Sequence, residues 1–186
     1  MNLDSSDRRT FMKATTITGA AALAGVVPVK AAGPVTGKLK VGIVGCGGRG
    51  SGALMQALKA DADAVLYAMG DVYAGQMQGL LNSVKGSRPG QAEVEEGRMF
   101  TGLDCYKKVI DLVDVVILTT PPGFRPQSFA YAVEKGIHIF SEKPCAVDGP
   151  GVRIVMEAAK KAKEKNLSIV CGFCWRHHNQ RREAFK

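Results

Sequence analysis

Histidine and cysteine are scarce in this sequence and do not show the spacing of a zinc site or a disulfide framework. The 186 residues include three histidines and five cysteines, and an odd, scattered set of cysteines does not form a disulfide scaffold. Cys171 and Cys174 have C-x-x-C spacing, but only His177 and His178 follow them, and residues 167–174 predict a strand. Three strand residues separate two Cα atoms by ~10 Å, beyond the ~7 Å limit for a disulfide. We therefore predict packing roles for these cysteines and no metal site.

Long hydrophobic runs and aromatic residues are also few. The apolar run over residues 14–27 is too short for a membrane span of ~20 residues. Aromatic residues make up 6% of the chain, and none interleaves with the lysines of residues 160–165, although the net charge is +8. A surface that stacks single-stranded bases is therefore not indicated. We interpret the late basic residues as a solvated helix face and predict no nucleic-acid partner.

The amino terminus predicts an export signal over residues 1–32. A charged segment with the pair Arg8 and Arg9 precedes the apolar run, and small residues follow it. With Phe11 and Lys13 in register, the pair resembles a twin-arginine signal, although Asp7 stands where Ser or Thr is usual. That route exports folded proteins, often with a cofactor in place. The resemblance implies a periplasmic or other extracytoplasmic location.

The rest of the sequence predicts one α/β domain. Hydrophobic residues make up 46% of the sequence and glycines number 22, which fits a buried core with many tight strand-to-helix turns. Short β-branched runs alternate with helical patterns. This alternation predicts a Rossmann-type, doubly wound parallel sheet over residues 38–178. The predicted strands cover residues 38–45, 64–70, 113–122, 137–144 and 167–174, and the predicted helices cover residues 51–58, 124–135 and 150–165.

Two of these elements carry more detailed predictions. The helix over residues 150–165 is amphipathic, with lysines on its outer face. Its predicted inward residues are Val152, Val155, Met156, Ala159 and Ala162. His138 lies within a predicted strand, so we expect it to pack rather than to react.

A glycine-rich turn ends the first predicted strand with the pattern G-x-G-x-x-G, formed by Gly45, Gly47 and Gly50. The first glycine permits the tight turn, the second lets the backbone approach a pyrophosphate, and the third lets the helix pack close to the strand. Gly48 and Arg49 lie in the same turn. The amino terminus of the following helix offers N–H groups and a partial positive charge to phosphates. The turn therefore predicts a dinucleotide site.

Asp71 follows the second predicted strand, 21 residues beyond Gly50. At this position a carboxylate binds the hydroxyls of the adenosine ribose. A 2′-phosphate beside Asp71 would suffer like-charge repulsion of roughly several kcal/mol. We therefore favour NAD over NADP, with Arg49 as a residue that could accommodate the phosphate instead. Asp71 could also cap the helix that starts at Val72, and the two roles are compatible.

Two further motifs end the strands over residues 113–122 and 137–144. The T-T-P-P motif consists of Thr119, Thr120, Pro121 and Pro122, and the E-K-P motif consists of Glu142, Lys143 and Pro144. Together with the glycine turn and the helix that ends at Gly136, these motifs resemble the glucose–fructose oxidoreductase, inositol dehydrogenase and MocA family. The resemblance covers about residues 38–178. The E-K-P triplet at this distance from the glycine turn is its most specific part.

The resemblance implies roles for both motifs. Lys143 becomes the catalytic acid/base or polarising group, because an ammonium in a partly desolvated crevice can share a proton with a sugar oxygen. Glu142 either holds Lys143 in place or lines the nicotinamide pocket. The T-T-P-P motif lines the dinucleotide through its main chain, or is an ordinary strand-to-helix turn. Family members often have a His near the start of the next helix, where this sequence has Arg125 and Ser128.

The resemblance further implies an NAD(P)-dependent oxidoreductase that transfers hydride at a hydroxyl-bearing carbon of a sugar or polyol. Family members continue into a second α/β domain that encloses the substrate and mediates assembly. We expect residues 179–186 to begin that truncated region, this length of chain to be inactive alone, and homo-oligomers to need the missing domain. Two alternatives stay open. One is a non-catalytic dinucleotide-binding module, and the other is a methyltransferase-type Rossmann domain with another adenosyl cofactor.

Overall fold

A computed structural model of the chain describes residues 37–185, so the predicted export signal lies outside the described residues. Strands and helices alternate along the described part. The strands are β1 (Leu39–Val44), β2 (Ala64–Asp71), β3 (Met99–Thr101), β4 (Val115–Leu118), β5 (His138–Ser141) and β6 (Ile169–Cys171). The helices are α1 (Gly48–Ala60), α2 (Ala74–Ser87), α3 (Cys105–Ile110), α4 (Arg125–Lys135), α5 (Gly149–Glu164) and α6 (Asn179–Ala184).

The six strands form one sheet in the order β3-β2-β1-β4-β5-β6, and every pair is parallel. The chain winds outward from β1 in one direction, then returns and winds outward from β4 in the other. The predicted Rossmann-type, doubly wound α/β fold is therefore confirmed. In such sheets ligands bind at the carboxyl ends of the strands, beside the point where the winding direction reverses. Here that point lies between β1 and β4.

Helices cover both faces of the sheet. On one face Leu54 of α1 and Met77 of α2 are fully buried against Ile43 of β1. On the other face Val109 of α3 and Phe129 of α4 pack with buried residues of β4 and β5. Each fully buried aliphatic or aromatic side chain stabilises the fold by about 1.5–3 kcal/mol. The two cores hold the strand ends, and so the site, in a fixed arrangement.

The buried face of α5 differs from the predicted one. Val155 and Ala162 face inward as predicted, but Val152, Met156 and Ala159 are exposed. The inner stripe instead consists of Gly151, Val155, Ala158 and Ala162. A Cβ atom on Gly151 would lie 3.0 Å from Cγ of Pro126 in α4. Close packing of α4 and α5 therefore selects small residues for the interface, whereas the sequence pattern favours the larger ones.

The lysines near the end of α5 behave in two ways. Lys160, Lys161 and Lys163 are exposed, as a solvated helix face requires. The ammonium of Lys165 instead donates hydrogen bonds of 2.9 Å to the carbonyls of Val133 and Glu134 at the end of α4. A lysine just beyond a helix can satisfy carbonyls of the last turn of a neighbouring helix, and the carbonyl of Val133 also accepts the N–H of Gly136 at 3.2 Å.

The last strand is shorter than predicted. β6 ends at Cys171, and the N–H of Phe173 turns back to the carbonyl of Cys171 at 2.7 Å. Cys174 then starts a short 3-10 helix and is exposed. The prediction that the C-x-x-C pair lies within one strand is therefore wrong.

His138 is the first residue of β5, and its Nδ1 accepts a hydrogen bond of 2.9 Å from the N–H of Ser168, which agrees with a packing role. None of the helices within residues 37–185 is long and apolar enough to cross a membrane.

Candidate dinucleotide site and active site

The glycine turn between β1 and α1 needs two of its glycines for the protein's own packing. Gly45 has φ +94°, and a Cβ atom there would lie 2.7 Å from the main-chain nitrogen of Thr120. A Cβ atom on Gly50 would lie 2.0 Å from the carbonyl oxygen of Gly45. Any side chain at either position would push the turn away from the sheet. The first and third glycines of the motif therefore have the roles that the sequence predicts.

Gly47 is different, because the fold itself does not require a glycine there. Its φ of −68° and ψ of −172° suit any residue, and a Cβ atom would meet no heavy atom of the described residues within 4 Å. The described residues therefore leave the space above Gly47 open. Gly47 also precedes α1 with no capping side chain from residues 37–185 and no acidic residue in the first turn. The free N–H groups of this helix end suit a diphosphate.

Asp71 supports the glycine turn from the end of β2. Its Oδ2 accepts a 2.6 Å hydrogen bond from the N–H of Cys46, and its Oδ1 accepts one of 3.0 Å from the N–H of Tyr73. Each carboxylate oxygen keeps a second lone pair for a ribose hydroxyl. The predicted capping role is wrong, because β2 runs through Asp71 and Tyr73 is the residue that precedes α2.

The thiol of Cys46 is packed beneath the turn. It is 2% exposed and lies 3.6 Å from the carbonyl oxygen of Gly70. Burial, and then the nearby charge of Asp71, raise the pKa of the Cys46 thiol far above its usual range. Cys46 is therefore an inert core residue at neutral pH, and its main-chain N–H is the part that serves the site.

The T-T-P-P segment lies directly beside the glycine turn. The hydroxyl of Thr119 donates a 2.6 Å hydrogen bond to the carbonyl oxygen of Gly45. The hydroxyl oxygen of Thr120 is buried with no hydrogen-bond partner among residues 37–185. Pro121 is exposed, and Pro122 starts a short 3-10 helix that leads into α4. The segment is therefore a strand-to-helix turn that also braces the glycine turn, and its contact with a dinucleotide stays a prediction.

Glu142 is the buried anchor of the E-K-P segment. Its side chain accepts a 2.7 Å hydrogen bond from Nε of Arg49 and one of 3.0 Å from the N–H of Lys143. A Cβ atom on Gly172 would lie 2.6 Å from Oε1 of Glu142, so any larger residue there would require this carboxylate to move. Glu142 thus positions the main chain of Lys143 and connects it to the glycine turn.

The side chain of Lys143 is exposed and forms no ion pair within residues 37–185. The partly desolvated crevice predicted around its ammonium is therefore not formed by the described residues alone. Glu142 holds Lys143 through the peptide N–H and not through the ammonium. The ammonium is exposed at the edge where the strands end.

Arg125 is a component of the site to which the sequence analysis assigned no role. It is 5% exposed at the start of α4, and its Nη1 donates hydrogen bonds to the carbonyl oxygens of Glu142 at 2.9 Å and Pro144 at 2.5 Å. Burial lowers its pKa, while the charge of Glu142 opposes that shift. A cation in the first turn of a helix is unfavourable to the helix dipole. That mismatch is the signal in the sequence that could have indicated a special role.

These groups converge at one edge of the sheet. The glycine turn follows β1, Asp71 ends β2, Thr119 follows β4, and Glu142 follows β5. Asp71, the glycine turn and the E-K-P segment are therefore the groups at this edge that could hold an extended dinucleotide. Among residues 37–185, no three His, Cys, Asp or Glu side chains are grouped closely enough to hold a metal ion.

Comparison with known proteins agrees with this geometry. The model of an oxidoreductase family with an NAD-binding Rossmann fold, the glucose–fructose oxidoreductase, inositol dehydrogenase and MocA family, matches residues 39–171. The chain belongs to this family. The predicted resemblance is confirmed, and NAD is the cofactor of the matched domain. The alternative of a methyltransferase with another adenosyl cofactor is not supported.

Solved structures of inositol dehydrogenases share the fold. A scyllo-inositol dehydrogenase from Lactobacillus casei with bound NAD(H) and scyllo-inositol is 27% identical, with a TM-score of 0.61, over 79% of this chain and 39% of that one. Myo-inositol 2-dehydrogenase from Lactobacillus plantarum is 25% identical, with a TM-score of 0.62, over 79% and 40%. The chain thus spans about two fifths of the length of these relatives. No curated protein matches the chain.

Proposed function

We propose that this protein is an NAD-dependent dehydrogenase that interconverts a hydroxyl and a carbonyl on a polyol or sugar. The observation that carries the proposal is the hydrogen-bonded pair of Arg49 and Glu142, which brings the E-K-P segment against the glycine turn. A dinucleotide whose diphosphate lies on the turn then has its reactive ring near Lys143. The bound inositol in the Lactobacillus casei relative supports a cyclic polyol as the substrate class.

The proposed chemistry divides the reaction between the cofactor and Lys143. The bound nicotinamide supplies the acceptor for a hydride from the substrate carbon. As the C–H bond breaks, the hydroxyl oxygen of the same carbon loses its proton, and the amine of Lys143 is placed to receive it. In the reverse direction the ammonium returns the proton to the carbonyl oxygen. Glu142 and Arg125 hold the main chain on both sides of Lys143 during this transfer.

We also propose that NAD is preferred to NADP. Asp71 is already held by two main-chain N–H groups, so its carboxylate is fixed at the end of β2, where we propose that the adenosine ribose binds. A 2′-phosphate there would lie beside the negative charge of Asp71, whose carboxylate is held in place by both hydrogen bonds. The Nε of Arg49 is engaged with Glu142, which argues against its serving as a phosphate ligand.

The test uses the enzyme expressed from its complete coding sequence, with NAD⁺ and a panel of polyols that includes scyllo-inositol and myo-inositol. We expect NADH formation, and a fall in kcat of ~100-fold or more for Lys143→Ala, the usual contribution of a positioned acid/base. Lys163→Ala removes an exposed lysine of α5 and is the matched control. If Lys143→Ala keeps the kcat of the parent enzyme, the role given to Lys143 is wrong.

A second candidate function is binding of NAD without catalysis. It is favoured by the exposure of Lys143, since residues 37–185 do not exclude water from its ammonium. Saturable binding of NADH, measured by nicotinamide fluorescence, together with no turnover of any polyol would establish this candidate. Turnover that depends on Lys143 would exclude it. A dehydrogenase of this design needs groups outside residues 37–185 to enclose the substrate.

We further propose export through the twin-arginine route. The proposal is based on Arg8, Arg9, Phe11 and Lys13 in residues 1–32. The test is a fusion of residues 1–36 to a reporter that is active only after export. We expect the replacement of both arginines by lysine to abolish export, while Lys30→Arg, near the end of the signal, leaves it unchanged. Equal export of the double variant would refute the proposal.

A further inference from the structure

Two cysteine thiols meet beside the E-K-P segment. The Sγ atoms of Cys145 and Cys171 lie 3.4 Å apart, and both residues are partly buried free cysteines. Cys145 follows Pro144 directly, and Cys171 is the last residue of β6, paired with Ser141 of β5. The carboxyl ends of two neighbouring parallel strands thus bring together residues that are 26 positions apart in sequence.

We propose that Cys145 and Cys171 form a reversible disulfide that fixes the end of the E-K-P segment to β6. The oxidant is a small-molecule disulfide of the oxidised glutathione type. The thiolate of one cysteine attacks this disulfide, forms a mixed disulfide and releases one small thiol. The second cysteine then attacks the mixed disulfide and releases the other thiol. Two protein thiols are oxidised to one disulfide, and one small disulfide is reduced to two thiols.

The position of the pair favours this reaction over other pairings. Bond formation requires the two sulfurs to approach by about 1.4 Å, from contact to a bond of ~2.0 Å. Cys145 can supply that movement, because it lies in the irregular segment between β5 and α5. Cys46 and Cys105 are buried in the core, and Cys174 is exposed on the turn after β6. Among residues 37–185 no other two cysteine sulfurs are in hydrogen-bond contact.

The chemistry of the thiols sets the pH dependence of the exchange. Burial, and then the hydrogen bond with Cys145, raise the pKa of the Cys171 thiol to about 11. The thiolate is the attacking species, so Cys171 reacts slowly at pH 7 and faster as the pH rises. The pair is therefore expected to oxidise faster at pH 9 than at pH 7.

A disulfide here would act on the main chain that carries the proposed catalytic lysine. Lys143 lies two residues before Cys145, and Gly172, which leaves room for the carboxylate of Glu142, directly follows Cys171. The link would therefore restrain Lys143 and Gly172, the two residues whose main chains lie against the carboxylate of Glu142. The inference concerns the chemistry of the thiols and holds whether or not the protein oxidises polyols.

The test starts from the full chain, reduced, freed of reductant and incubated with oxidised glutathione at pH 8. In the Cys174→Ser variant, which lacks the exposed thiol that would itself take up glutathione, we expect the number of thiols that can be alkylated after denaturation to fall from four to two. Peptide mapping without reductant must then show a link between Cys145 and Cys171. Trypsin leaves Cys171 and Cys174 in one peptide, so the digest also uses chymotrypsin, which cleaves after Phe173 and separates them.

Three variants make the result decisive. Cys174→Ser must keep the link, because it removes only the cysteine that shares a tryptic peptide with Cys171. Cys145→Ala and Cys171→Ala must lose the link and take up one glutathione on the remaining partner. If either alanine variant fails to fold, the corresponding serine variant replaces it. Retention of all four thiols in Cys174→Ser, or separate glutathione adducts on Cys145 and Cys171, would overturn the proposal.

Discussion

The Nε atom of Arg49 lies 2.7 Å from Oε1 of Glu142, and the two residues are 93 positions apart in sequence. The pair joins the glycine turn after β1 to the E-K-P segment after β5. The side chain of Arg49 is 48% exposed and that of Glu142 is 6% exposed. Half-exposed ion pairs contribute about 1 kcal/mol or less. The main consequence of this pair is therefore the position of Glu142, which in turn holds the peptide of Lys143.

Replacement of Arg49 tests whether its partner is Glu142 or a phosphate of the cofactor. We expect Arg49→Ala to weaken the binding of NADH and the binding of NADPH by a similar factor, about 5-fold or less, because the pair contributes about 1 kcal/mol or less. Fluorescence titration with both nucleotides gives the two dissociation constants. Arg153→Ala, an exposed arginine of α5, is the control. A loss of affinity confined to NADPH would instead make Arg49 a ligand of the 2′-phosphate.

Replacement of Gly47 should affect NADH binding with little effect on folding stability. We expect Gly47→Ala to change the free energy of unfolding by less than about 1 kcal/mol, because its backbone suits any residue and the Cβ atom meets open space. The methyl group enters the proposed diphosphate site, so NADH affinity should fall by ~10-fold or more, about 1.4 kcal/mol. Thermal denaturation and NADH titration measure the two effects.

Two other glycines provide opposite controls for Gly47. Gly50→Ala places a Cβ atom 2.0 Å from a carbonyl oxygen, so overpacking should cost about 1–3 kcal/mol or more in stability. Gly79→Ala lies inside α2 with open space around it, so stability should rise by about 0.5–1 kcal/mol with unchanged NADH binding. Unchanged affinity in Gly47→Ala would mean that the diphosphate does not lie on this turn.

Asp71 is predicted to set the choice between the two dinucleotides. Asp71→Ala removes both the proposed ribose contact and the acceptor for the N–H of Cys46. Loss of a charged hydrogen bond costs about 1.5–3 kcal/mol, so NADH affinity should fall by roughly 10- to 100-fold. Asp71→Asn removes the charge and keeps one acceptor oxygen, which can serve the N–H of Cys46, but its amide nitrogen cannot accept from the N–H of Tyr73. It should therefore lose less stability than Asp71→Ala while the preference for NADH over NADPH shrinks, and an unchanged preference would contradict the role of the carboxylate.

Arg125 is predicted to stabilise the E-K-P segment. Arg125→Ala removes the guanidinium from the carbonyl of Pro144 and from the buried carbonyl of Glu142, which keeps only a 3.4 Å hydrogen bond from the hydroxyl of Ser141, at a cost of about 1–3 kcal/mol for the buried acceptor. Chemical denaturation measures the loss, and hydrogen exchange of the Lys143 amide reports whether the segment loosens. The stability of Arg125→Lys should lie between that of the parent chain and that of Arg125→Ala, because an ammonium cannot reproduce the planar donor geometry of the guanidinium. Equal stability of Arg125→Ala and Arg153→Ala would remove this role.

Local features of the sequence were sufficient for much of the site. The β-branched run before Gly45 and the glycines after it specify a strand, a turn and a helix within about twenty residues, and Gly136 ends α4 with φ +77° as predicted. Asp71 lies at the predicted strand end. Such features depend on residues close in sequence, where backbone sterics and hydrophobic spacing act directly. The family and its cofactor follow from the same short motifs.

Contacts between distant parts of the chain were not predictable in this way. The burial of Arg125, the pair of Arg49 and Glu142, and the contact of Cys145 with Cys171 all depend on which strand ends become neighbours. The inward face of α5 likewise depends on how closely α4 approaches it, which the pattern of large apolar residues does not encode.

Short-range sequence patterns therefore specify the alternation of strands and helices, the glycine turn and the residue types at the strand ends. Which of those residues touch depends on the folded sheet, because the strand order of the whole sheet sets the neighbours of each strand. That order brings residues such as Arg49 and Glu142 together across 93 positions of chain.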